Sequence, residues 1–223
     1  MVLGILTSIA ACPAIIGTTE AVRQGQAQNK REQHRGQKTN LVATCTKNSS
    51  QSSQINGGLI VLKNNKLYIA APSDDDDDPP EDELEFEVPP PHPFTGYFMP
   101  HPAHNWSWRG EGLVSTIAPG PPILNWIYVD KDTNEVKYGD KNQSAGHIMG
   151  PWNCTKIDRR MTFEGWEGFL AVREKKGEWA VYFDREDDGL KGKVVGRRML
   201  EVEVWRRERK KGREDAENKN YNG

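Results

Sequence analysis

WEGFLAVREKKGEWAVYFD, residues 166–184, decides the fold class. Two runs rich in β-branched and aromatic residues flank the short turn Lys175-Lys176-Gly177. In the second run Trp179, Val181 and Phe183 fall on alternate positions, the two-residue period of a strand. The stretch reads as an antiparallel hairpin.

Working outward, the same grammar repeats. MLEVEVW (199–205) sets Leu200, Val202 and Val204 on one face against Glu201 and Glu203 on the other. ILNWIYV (123–129), EVKY (135–138), NCTKI (153–157) and MTF (161–163) are further strand candidates, separated by GDKNQSAG, KIDRR and DREDDG. No stretch in this part has the 3.6-residue period of an amphipathic helix. Nearer the start, GGLIVLKNNKLYIA (57–70) is a hairpin about Asn64-Asn65, residues that tolerate the positive φ of a tight turn, and LVATCTK (41–47) is its partner strand. The expected fold is mainly β: an antiparallel sheet, sandwich or small barrel, with an N-terminal helical segment, a disordered acidic insertion and a basic tail.

Composition supports that division. The chain has 223 residues, of which 35% are hydrophobic and 28% charged, with a mean hydropathy of -0.77, too polar for the whole length to pack as one globule. The expected plan is an apolar segment and polar helix (1–40), a β-hairpin unit (41–72), an acidic, proline-rich linker (73–93), a Trp-rich antiparallel β domain (94–205) and a charged tail (206–223). The linker contains SDDDDDPPEDELEFEVPPPHP, whose aspartates repel and whose prolines cannot donate to a ladder. The net charge of -2 hides an acidic middle and a basic end.

Two stretches imitate calcium loops. In DKDTNEVKYGDK, from Asp130, Asp132 and Asn134 recur at ligand spacing, but the sixth position is Glu135 and the twelfth Lys141, where an EF-hand needs Gly and a bidentate Glu. DREDDGLKGKVV, from Asp184, ends on Val195. Both read as turns between strands. His92, His101 and His104 stand among prolines with no carboxylate or cysteine to complete a metal shell. Cys12, Cys45 and Cys154 form no CxxC and read as three thiols, a Cys45–Cys154 pair being the alternative in a secreted chain. Four N-x-S/T sequons, at Asn48, Asn105, Asn142 and Asn153, matter only in that case. There is no G-x-S-x-G elbow, P-loop or dinucleotide fingerprint, and no cofactor, metal or catalytic residue is expected.

Two features point toward binding. Residues 1–17 carry no charge and precede a basic stretch, so Leu3, Ile5, Leu6 and Cys12 with Arg23, Lys30 and Arg31 compose a candidate contact with an anionic membrane surface. The alternatives are packing on the domain and secretion. Trp106, Trp108 and Trp152 are candidate ligand contacts: the first two flank Ser107 in a Gly/Pro-rich loop and the third follows Gly150-Pro151, and exposed rings stack on sugars, bases or peptides. Trp126, Trp166 and Trp179 sit at strand positions and are expected in the core. RRERKK after Trp205 reads as a solvated run, and no strong nucleic-acid signal accompanies it.

GPWNCT (150–155), FEGWEGFLAV (163–172) and WAVYFDREDDGLKGK (179–193), with the opening MVLGILTSIAACPAIIGTTEAVRQGQ, resemble a family of proteins from filamentous fungi. The resemblance attaches no activity. It implies a fungal source, an intracellular protein and an N-terminal segment kept in the mature chain. The expected function is a non-enzymatic binding or adaptor module, cytoplasmic and peripheral to a membrane, with a membrane surface or another protein as partner. The alternatives are a secreted or cell-wall carbohydrate binder and an enzyme with an unfamiliar site.

Overall fold

Both strands of the quoted hairpin are buried on both sides, more than alternation alone requires. The computed structural model describes residues 34–72, 91–118, 123–174 and 177–208. The chain divides into two units, Met1–Gln37 and Lys38–Gly223. The apolar opening, residues 73–90 of the acidic linker and residues 209–223 lie outside the described residues.

The strands are β1 (Thr39–Cys45), β2 (Gly58–Lys63), β3 (Lys66–Ile69), β4 (His92–Pro93), β5 (Thr95–Met99), β6 (Gly112–Thr116), β7 (Leu124–Val129), β8 (Val136–Gly139), β9 (Trp152–Cys154), β10 (Met161–Phe163), β11 (Phe169–Arg173), β12 (Trp179–Phe183) and β13 (Met199–Glu208). Nine of them close a ring in the order β12-β11-β13-β1-β5-β6-β7-β8-β3, shut by pairing of β3 with β12. β2 bridges β1 and β3, β4 lies on β2, and β9 and β10 form a separate two-stranded sheet. Of the expected alternatives, the antiparallel barrel is the one formed, and closure removes the exposed edges an open sheet would carry.

Local chemistry explains the turns. Asn64 and Asn65 both take positive φ, 49° and 61°, as a two-residue hairpin of this hand requires. Between β7 and β8 the Asp130 carboxylate accepts from the backbone N–H of Asp132 and Thr133, and Asn134 takes φ 62°. After β12, Asp184 does the same for Asp188, Gly189 and Leu190. Both calcium-like loops therefore spend their leading aspartate on their own backbone.

Inside the barrel, Phe94, Phe163 and Phe183 are wholly buried. Phe183 meets Phe163 and Phe169 edge-on, at centroid distances of 4.9 and 5.2 Å, a favoured aromatic geometry. The void left among Leu41, Ile60, Leu113, Trp152, Phe169 and their neighbours is about 10 Å³. That is barely one water, and its apolar walls offer water no partner. Around this void the described side chains form a packed core. On the outer side of β11 and β12 the following loop folds back, and Leu190 and Val194 cover Val61, Tyr68, Leu170, Val172, Ala180 and Tyr182. This second cluster is why β12 is buried on both faces.

Four expectations need correction. His92 and Pro93, assigned to the linker, pair with Leu62 and Val61. Residues 95–99, where the sequence reading names no strand, form β5, whose five residues pair with β6, a strand that the sequence reading also lacks. The hairpin unit 41–72 shares one sheet with the Trp-rich region. β13 runs past Trp205 to Glu208, paired with β1 from Thr39 onward. Arg206 is thus not in a tail. It is buried, donates to Thr39 Oγ1 at 3.2 Å and stands 4.6 Å from the Phe98 ring centroid.

Candidate functional site

The segment between β5 and β6 is pinned at several points. Ser107 N donates to Asn105 Oδ1 at 2.9 Å, a turn in which the Asn side chain stands in for backbone. A single 3-10 turn, Ser107–Arg109, follows. Asn153 Nδ2 donates to Arg109 O at 3.1 Å, and Glu111 and Trp152 exchange both backbone hydrogen bonds, at 2.9 and 2.8 Å. Gly110, at φ 151°, lets the chain pass Trp152 so closely that a Cβ would lie 2.3 Å from the Trp152 carbonyl oxygen.

This anchoring holds an aromatic cluster on the outside of the barrel. His104 stacks on Trp106 at 5.2 Å, and His101 lies 4.7 Å from both His104 and Trp126. The Trp106 ring also packs against Gly150, where a Cβ would come within 2.9 Å of it. Burial, with the nearby His104 and Lys141, lowers the His101 pKa, which favours the neutral ring at physiological pH. On the same loop Trp108 is 88% exposed.

The three predicted ligand-contact tryptophans therefore separate. Trp108 is exposed and Trp106 is half-buried. Trp152 is corrected: it is 2% exposed in the core and donates Nε1–H to Ile127 O at 3.2 Å. Trp126 is corrected in the opposite sense. Ile127 and Val129 take the inward face of β7 and leave Trp126 half-buried on the outer one. Trp179 is in the core, and Trp166 is partly buried against it. Cys45 and Cys154 are free thiols. Leu3, Ile5, Leu6, Cys12, Arg23, Lys30 and Arg31, the predicted membrane contact, lie outside the described residues.

A second group of polar side chains gives no sign of itself in the sequence. Lys66 Nζ lies 2.5 Å from Glu135 and 2.9 Å from Glu174. The Tyr182 hydroxyl donates to Glu135 Oε1 or Glu174 Oε1, at 3.1 and 3.0 Å, and Tyr68 donates to Glu174 Oε2 at 3.0 Å. Lys137 joins Glu135 to Asp130. The group spans two short seams of the ring: β3 meets β12 at two residue pairs and β8 at one. Burial works against the charged forms of Glu135, Glu174 and Lys66, but their mutual contacts outweigh it. Both carboxyls are held below and the ammonium above its ordinary range. Burial and the two carboxylates push Tyr68 and Tyr182 far up. Every group is locked in its resting form, the reverse of what a proton-transfer site near neutral pH requires. The network fastens the barrel.

The model of the fungal beta-trefoil domain family matches residues 17–210, which include every strand of the barrel. The chain belongs to the fungal beta-trefoil domain family. No curated protein and no solved structure matches it. Membership supports a fungal-specific family, and it brings no activity with it. The β-trefoil domain is a fold often used in carbohydrate-binding and adaptor modules. In this fungal β-trefoil domain the loop bearing Trp108 lies on the surface.

Proposed function

We propose that this fungal β-trefoil domain is a non-catalytic binding module whose contact surface is the loop 101–109, and that its ligand is a saccharide. One observation carries the reading: Trp108 is 88% exposed on a loop fixed by hydrogen bonds on both sides. Leaving an indole in water forgoes about 2–3 kcal/mol of burial. A ring held ready on an ordered loop loses little conformational freedom on binding. Its flat apolar face suits the C–H face of a sugar ring, and the polar Asn105 and Arg109 flank it.

The test is co-sedimentation of the full chain with insoluble chitin, β-glucan and mannan, with intrinsic fluorescence as a second readout. Trp108→Ala should weaken retention about tenfold or more and leave the melting temperature unchanged. Equal retention of the variant removes Trp108 from the contact. Failure to bind any of the three turns the reading toward a protein partner.

A further inference from the structure

A different part of the barrel carries an unneutralised pair of cations. Arg173 ends β11, and Arg198 immediately precedes β13. Arg173 N donates to Arg198 O at 2.9 Å, so the two backbones are joined side by side. Both guanidiniums reach one atom. With the Gln51 amide turned so that its oxygen faces them, that oxygen accepts from Arg198 Nη1 at 2.8 Å and Arg173 Nη1 at 3.3 Å. Gln51 begins the 3-10 turn Ser52–Gln54, yet its side chain does not cap that turn.

The orientation of Arg173 is built in. It pairs across the ladder with Trp179, and its guanidinium lies over that ring, 5.9 Å from the centroid, a cation–π geometry. Trp179 is itself buried and tied by Nε1–H to Gln54 Oε1 at 3.0 Å. Gly177, across the turn, takes φ 81° and lies beside the guanidinium.

Among the described residues, neither arginine has a carboxylate partner. The nearby acids are spent elsewhere. Glu174 holds Lys66, Tyr68 and Tyr182, Glu178 holds Lys63, and Glu201 holds Lys47. Two like charges converging on a neutral amide oxygen is an unfavourable arrangement left uncompensated by the protein. Guanidinium forks match the oxygens of phosphate and sulfate. The Gln51 oxygen occupies the place one such oxygen would take.

We infer that Arg173, Arg198 and the Gln51 turn form a binding site for a tetrahedral oxyanion, a phosphate or sulfate group, either free or as a monoester.

The experiment uses the full chain. Its melting temperature and calorimetric titration are followed with sodium phosphate against sodium chloride at matched ionic strength. A saturable stabilisation by phosphate is expected. Arg198→Gln, a change at an exposed position, relieves the like-charge pair, so it should not lower the melting temperature in chloride, and it should weaken phosphate binding about tenfold or more. Gln51→Glu, which supplies the missing anion from the protein, should raise the melting temperature in chloride and abolish the phosphate response. Glucose 6-phosphate, with glucose as control, separates the sources. Tighter binding of the ester than of phosphate means that the group arrives on a sugar, and equal binding means the free anion. No saturable response in the unmodified chain, or an undiminished one in Arg198→Gln, overturns the inference.

Discussion

Asp130 Oδ2 lies 2.8 Å from Lys137 Nζ, across the hairpin of β7 and β8, while Asp130 Oδ1 takes the N–H groups of Asp132 and Thr133. Burial opposes the charge on this carboxyl, but the ammonium and the two backbone donors outweigh it and hold its pKa far below the usual range. The stabilisation is complete above the unfolded carboxylate pKa of about 3.9 and is lost as pH falls toward the folded value. Asp130→Ala leaves two N–H groups unsatisfied, yet Lys137 keeps Glu135 at 3.1 Å. The expected cost is about 2 kcal/mol, read by urea denaturation at neutral pH, and the difference from the parent should narrow in strong acid. Millimolar calcium should not raise the melting temperature of the parent, because Lys193 Nζ sits 2.7 Å from Asn134 Oδ1 and presents a cation beside the same loop.

The fastening network sets the alkaline limit. Tyr68 and Tyr182 have folded pKa values raised above the unfolded one. Their contribution is whole below about pH 10 and disappears as pH climbs toward the folded values. Lys66, also raised, acts in the same direction. In an absorbance titration at about 295 nm these two hydroxyls should ionise together with unfolding. Ionisation of all tyrosines before any loss of β-sheet circular dichroism would contradict the network.

Lys66→Met removes the cation between two carboxylates at 2.5 and 2.9 Å. Leaving two part-buried carboxylates without their cation costs about 1–3 kcal/mol, and adding Glu135→Gln and Glu174→Gln should recover most of it. A triple variant no more stable than Lys66→Met would assign the loss to packing instead of charge.

Trp152 and Trp108 should behave oppositely. Trp152→Ala empties a core site and should destabilise by about 3–5 kcal/mol. Trp108→Ala should be neutral in stability while removing the fraction of tryptophan fluorescence that iodide quenches most readily.

Membrane attachment is a proposal from the sequence of residues 1–31. The full chain should co-sediment with vesicles containing anionic lipid and be released by high salt. Replacing Arg23, Lys30 and Arg31 by Gln should weaken that binding, each charge contributing about 1 kcal/mol. Vesicle binding unchanged by the three substitutions would discard the electrostatic part of the idea.

Sequence alone determined what is local. The hairpins at Asn64-Asn65, at Asp130–Asn134 and at Lys175–Gly177 were legible because turn residues and two-residue alternation are nearest-neighbour properties, and the mainly β, antiparallel character followed from them. The loop carrying Trp106 and Trp108 was legible through its Gly, Pro and Asn content. Tertiary structure alone decided the rest. Thr95–Met99 and Gly112–Thr116 are short and interrupted by glycine, so their strand character comes from partners, not from propensity. Alternation divides a strand into two faces without saying which is inner, and a one-residue choice exchanges them. That is why Trp152 went to the core and Trp126 to the surface. Glu135 and Glu174 around Lys66, and Arg173 beside Arg198 at Gln51, come together only when the ring closes. Nothing short of that closure brings residues so distant along the chain within hydrogen-bond reach.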